Sequence, residues 1–184
     1  MSLRFEKING KSRDIKKVRR LFISAFPKDE RPPFYCMLKG SRKPGNDFLA
    51  MYDGDEFIGF TYVISKSDLA YVFFLAIEDS KRGMGYGSEA LTLLNSYYEG
   101  HRIFLAIEQM DANADNYPER VRRLAFYEKN GLHLLGIKLR EGSVIYDSMG
   151  NSLCQTLTDG EYRELLYMFL GPVARKRIKV GVVE

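Results

Sequence analysis

Histidine and cysteine are scarce here, with two of each in 184 residues, and tryptophan is absent. Cys36 and Cys154 stand far apart and form no metal-ligand spacing, so idle thiols and no metal site are expected. His101 and His133 leave little material for a histidine-rich metal centre or a Ser-His-Asp triad. No apolar run approaches the ~20 residues that cross a bilayer. The chain turns polar within its first ten residues, which does not read as a secretory signal, so a cytoplasmic protein without a membrane partner is expected. A net charge of +4 suits an anionic ligand and is too mild to argue for nucleic acid. There is no internal repeat and no low-complexity segment. What remains, 45% hydrophobic and 28% charged residues, reads as one globular domain over 1–184 with a proper core.

The stretch Tyr71–Tyr98 organises that domain. Tyr71–Ile77 is an apolar run rich in β-branched and aromatic residues and reads as a buried strand. A polar turn, Glu78–Lys81, leads into Arg82-Gly83-Met84-Gly85-Tyr86-Gly87. Gly87, Ala90, Leu91 and Leu94 then fall at helical spacing, so a helix begins inside the glycines. Strand, glycine turn and helix together aim main-chain N–H groups at an anion. The first N–H groups of a helix have no partner within it, the helix dipole is positive there, and glycine brings no Cβ to hold a diphosphate away. Arg82 adds a full charge.

Before that stretch, Leu3–Ile8 alternates as a strand. Ser12 is expected to cap a helix whose face is Ile15, Val18, Leu21, Phe22 and Ala25, and which ends at Pro27. Phe26–Phe34 is a charged, proline-broken connector into a short helix near Phe34–Leu38. Asp47–Tyr52 and Phe57–Ser65 flank Asp53-Gly54, a hairpin signal. After Gly100, Arg102–Glu108 is a second apolar strand, and a helical crossover should set it parallel to the first. Pro118 opens a helix with Val121, Leu124, Ala125 and Glu128 on one face, closed by Asn130-Gly131. Leu132–Leu139 and Ser143–Met149 read as a closing strand pair. Thr158–Glu161 is a capping box for a helix of about 158–170. The basic run Arg175–Lys179 reads as a solvated end, since it lacks interleaved aromatics.

Arg82-x-x-Gly85-x-Gly87 after such a strand resembles the Gln/Arg-x-x-Gly-x-Gly/Ala pyrophosphate motif of the GNAT acyltransferases. Phe126-Tyr127-Glu128-Lys129-Asn130-Gly131-Leu132 is similar to that family's aromatic-Tyr-x-x-x-Gly-Phe signature, with Leu132 in place of Phe. The resemblance covers about 3–149. It implies a GNAT acyl-CoA N-acyltransferase fold of the α/β (α+β) class, with a central mixed, mostly antiparallel sheet of about seven strands, helices on both faces and an extra C-terminal helix. It also implies an acetyl-CoA co-substrate whose acetyl group passes to a primary amine of a small molecule or protein by direct attack in a ternary complex, so the expected partner is a small-molecule or peptide amine; the chain itself is read as a monomer or homodimer. Arg82, Gly83, Met84, Gly85, Gly87 and Ser88 would hold the pyrophosphate, and the backbones of Leu75 and Ile77 the pantetheine arm. Tyr127 would protonate the leaving thiolate. The family's histone-modifying branch carries a glutamate base where this chain has Tyr71, so Glu108 and then Glu30, from a Phe-Pro-x-x-Glu-Arg stretch that some members share, are the candidate bases.

Two other readings stand beside this one. One is an acyl-CoA-binding sensor or inactive interaction domain. The other, a dinucleotide-binding oxidoreductase, is disfavoured by the hairpin meander before the glycines and by Ser88 at the third Rossmann glycine position.

Overall fold

The computed structural model describes residues 2–183; Met1 and Glu184, the two ends of the expected single domain, lie outside them. The chain gathers into two units, Met1–Ser65 with Val72–Glu99 and Lys66–Tyr71 with Gly100–Glu184.

In the first unit, β1 (Leu3–Lys7), β2 (Asn46–Asp53) and β3 (Glu56–Lys66) pair antiparallel in sequence order, and β4 (Leu69–Ile77) follows. The Asp53-Gly54 turn is the expected hairpin, with Gly54 at φ +56°. The register slips once: Met51 pairs with Gly59 and Tyr52 with Phe57, which leaves Ile58 as an extra residue. This bulge puts Ile58 with Met51, while Phe60 packs on Phe48 with ring centroids 5.7 Å apart. Gly59 is required beside it, because a Cβ there would collide with the carbonyl of Ala76 on β4.

Each face of this sheet is covered. On the aromatic face lie α1 (Ile15–Ala25) and α2 (Phe34–Gly40). Phe22 of α1 meets Phe74 of β4 at 5.3 Å, and Phe34 of α2 meets Phe48 at 6.0 Å. On the other face α3 (Tyr86–Tyr97) buries Tyr86 and Ala90 against Leu3, Met51 and Ile58, with Leu75 and Ile77 of β4 at its margin. Alternation along β4 explains this, since Phe74 points one way and Leu75 and Ile77 the other. Ser12 does not cap α1. Its hydroxyl accepts from the Asn9 N–H at 2.9 Å, and Asp14 takes the N-cap position. That side chain is drawn off to the Tyr52 hydroxyl at 3.1 Å and to Lys17.

In the second unit β7 (Val144–Gly150) pairs antiparallel with β5 (Arg102–Glu108) on one side and β6 (His133–Glu141) on the other. Tyr71 stacks on Phe104 of β5 with centroids 4.6 Å apart, and Tyr162 of α5 (Asp159–Phe169) meets both rings edge-on. The Tyr71 and Tyr162 hydroxyls both donate to Glu141, at 2.5 and 2.7 Å, which satisfies two buried donors. The capping box on α5 is complete: Thr158 accepts from the Glu161 N–H, and Glu161 accepts from the Thr158 N–H.

One expectation is corrected here. The half-buried side of α4 (Tyr117–Lys129) is Tyr117, Arg120, Leu124 and Tyr127, whereas Val121, Ala125 and Glu128 are exposed. Apolarity misled the assignment of that face, because Arg120 goes inward with its charge satisfied by an acid. The helix α5 closes at Phe169, within the expected 158–170, and the chain then continues in regular structure. Pro172 opens a short α6 (Pro172–Arg177), as proline at a first helical position can, and β8 (Val180–Val183) adds to β6.

The strand order is β1-β2-β3-β4-β5-β7-β6-β8, so the mixed, mostly antiparallel sheet has eight strands among the described residues, the addition being β8. Among the described residues no helix is long and apolar enough to cross a membrane.

Candidate coenzyme and acyl-transfer residues

The glycine turn of the first unit is built to leave main-chain donors open. Gly83 and Gly85 have φ of +76° and +90°, a conformation that a side chain resists. Gly85 is the N-cap of α3, and no side chain caps it. The first bond across that end runs from the Glu89 N–H to the Gly85 carbonyl at 3.1 Å, so helix geometry leaves the N–H groups just before it without intrahelical partners. Glu89, the acid of the first turn, is turned away and accepts from the Leu3 N–H at 2.9 Å. Tyr86 anchors the turn from below, buried in the core with its hydroxyl donating to Asp53 at 3.0 Å. The residues above it, Arg82 to Gly85, are exposed.

Arg82 donates from Nε to the Ile77 carbonyl at 3.3 Å and pairs with Asp79 at 2.9 Å. Both members of that pair are exposed, so it is a weak hold that a doubly charged anion can displace. Lys81 is instead engaged with Glu56. Residues 82–88 therefore fit a diphosphate: open donors, a displaceable guanidinium, and glycine where the backbone turns. Leu75 and Ile77 are half-buried, and their side chains serve the α3 face.

Glu30 lies on the same unit in the connector after α1, where its N–H donates to Pro27 at 3.2 Å and closes a turn. Arg31 beside it satisfies the Ile23 carbonyl near the end of α1 at 2.7 Å. At the end of β4, one Glu78 oxygen is buried without a hydrogen bond, and Arg20 stands 3.5 Å away.

Tyr127 and Glu108 belong to the second unit. Tyr127 is half-buried on α4, its ring 5.2 Å from that of Phe126, and its carbonyl accepts from the Leu132 N–H at 3.1 Å. Burial raises the pKa of its hydroxyl above the ordinary phenol value, against a smaller opposing pull from Arg123, so the group keeps its proton at neutral pH. Gly131 at φ +84° makes the turn that brings Leu132 back into the core. Glu108, at the end of β5, accepts from Asn116 Nδ2 at 2.8 Å and from Arg123, with Arg120 at 3.6 Å. Asn116, Arg120 and Arg123 were not singled out from the sequence. Their spacing of four and three puts them on one helical face, and that was the signal available.

Leu75 and Ile77 thus lie at the end of β4, residues 82–88 form the turn and the start of α3 in the same unit, and Arg123 ties the helix of Tyr127 to Glu108 in the other. Among the described residues no group of three His, Cys, Asp or Glu is placed to hold a metal ion. Cys36 and Cys154 are both free thiols, and burial pushes Cys154 up to about 11.

Comparison with known proteins agrees with this fold. The sequence profile of the acetyltransferase (GNAT) family matches residues 15–132. No curated protein sequence gives a match. Among solved structures, a GNAT-family protein from Bacteroides thetaiotaomicron superposes with a TM-score of 0.65 at 21% identity, covering 80% of this chain and 86% of that one. An aminoglycoside 6'-N-acetyltransferase complexed with coenzyme A gives 0.60 at 17%, covering 84% and 99%. The ribosomal-protein-S18-alanine N-acetyltransferase from Escherichia coli gives 0.61 at 14%, covering 85% and 97%.

Proposed function

The chain belongs to the GNAT family of acetyl-CoA-dependent N-acetyltransferases, and from that premise we propose that it passes the acetyl group of acetyl-CoA directly to a primary amine of a small molecule or peptide. The observation that carries the reading is the uncapped start of α3 behind two positive-φ glycines. Main-chain N–H groups of residues 83–88 and the Arg82 guanidinium would bind the pyrophosphate. The backbones of Leu75 and Ile77 would line up the pantetheine arm. Acetyl-CoA supplies the activated thioester.

The chain's residues would do the rest. Holding donor and acceptor in line removes up to roughly 7–11 kcal/mol of barrier through entropy already lost on binding. A main-chain N–H near Leu75–Ile77 would stabilise the developing oxyanion. Tyr127, kept protonated by its burial, would donate to the leaving thiolate. An ammonium has no lone pair, so the acceptor must first lose a proton. Glu108, whose two oxygens each keep a lone pair beyond those taken by Asn116 and Arg123, is the first candidate to take that proton, and Glu30 is the second.

The test is transfer to a panel of amines and peptides, followed by mass and by release of free thiol. Tyr127→Phe should lower the rate about 100-fold, the low end of general acid–base contributions, with the KM for acetyl-CoA little changed. An unchanged rate across pH would remove the proton-donor role. Coenzyme binding without thiol release over the whole panel would favour the sensor reading instead.

A further inference from the structure

The basic tail is exposed from Arg175 to Lys179, as expected, yet it does not run free into solvent. Arg175 and Lys176 of α6 and Lys179 after it fold back to meet Arg140 of β6 and Arg163 and Tyr167 of α5 around a cavity of about 380 Å³. Five cations thus line one cavity, and its lining contains no carboxylate.

Their placement is built rather than incidental. Arg163 is held by Asp159 at 2.6 Å, and the other oxygen of Asp159 accepts from the Val182 N–H at 2.8 Å. Gly181 makes room for this pair, since a Cβ there would collide with the Arg163 guanidinium and the Asp159 carboxylate. Arg175 donates to the Leu170 and Tyr167 carbonyls at the end of α5, and its guanidinium lies over the Tyr167 ring at 5.3 Å. Arg140, Lys176 and Lys179 enter no ion pair among the described residues. Like charges gathered around one cavity repel one another unless an anion joins them. The volume is that of a small-molecule site, for which pockets run from about 300 to 1,000 Å³.

We propose that this cavity binds a small phosphate-bearing anion carrying two or more negative charges. None of its residues belongs to the proposed coenzyme set, so the site stands or falls separately from the acetyl-transfer reading.

The test titrates inorganic pyrophosphate into the full chain presaturated with coenzyme A, by calorimetry. Binding is expected to weaken at least tenfold in R140Q/K176Q/K179Q, whose substitutions lie on unpaired side chains and should leave the circular dichroism unchanged. Binding is also expected to weaken with added salt. In Arg82→Gln it should stay within twofold of the unsubstituted chain. No binding, or equal affinity in the triple variant, would overturn the proposal. So would tighter binding of a single-stranded oligonucleotide that depends on the same three residues, because that would mark an extended nucleic-acid surface instead.

Discussion

The helices α3 and α5 begin in opposite ways. At α5, Thr158 and Glu161 close the end with the protein's own side chains. At α3 no side chain does so, the N-cap is a left-handed glycine, and Glu89, the acid of its first turn, is committed to Leu3. Orphan N–H groups cost free energy unless something answers them. A sealed end is therefore a stability device, and an end left open in an exposed glycine turn is a place for an anion. Both helices are anchored by a buried tyrosine in their first turns, Tyr86 and Tyr162, so the difference does not come from poorer packing of α3.

The comparison can be broken in several ways. The largest effect belongs to the anchor of the sealed helix: Tyr162→Ala should cost about 3–5 kcal/mol, the range for deleting a buried aromatic ring, read as a lower urea midpoint. Next, Ser88→Asp places a carboxylate in the first turn of α3. It should weaken coenzyme A about tenfold, or roughly 1.4 kcal/mol, while leaving stability unchanged or slightly raised, because an acid suits a helix start. A parallel fall in affinity and stability would show that the end was structural all along. Thr158→Ala should cost about 1 kcal/mol of stability and leave coenzyme titrations as they were.

The smallest effect concerns pH. Burial, then the nearby Glu141 carboxylate, raises the phenol pKa values of Tyr71 and Tyr162 well above their ordinary value. A group raised on folding stabilises the fold below its unfolded pKa and loses that contribution as pH rises through the folded one. Stability should therefore not change through these tyrosines up to about pH 9, then fall above the unfolded phenol value of about 10. Urea midpoints measured across that interval give the check.

Much of the candidate coenzyme element was legible in the chain. A run such as Tyr71–Ile77, a glycine turn and a helical repeat each rest on local rules, and local rules need no tertiary contact. The N-terminal capping of α1 was less legible, because Ser12 and Asp14 found partners in Asn9 and Tyr52. Only the folded chain shows that Tyr52 lies within reach of Asp14. The face of α4 was misread for a related reason. Arg120 counts as polar in a periodicity, yet its inward position is settled by Glu108 on β5.

By itself the sequence determined the order of strands and helices through most of the chain, the glycine turn and the sealed start of α5, because backbone preference and short-range capping decide those. Only the tertiary structure decided that Glu89 is turned away from the start of α3, that Glu108 is held by Asn116 and Arg123, and that Arg140 and Arg163 share a cavity with the basic tail. These outcomes depend on which charged groups a fold brings within a few ångströms of each other, and spacing along a chain carries no such distance.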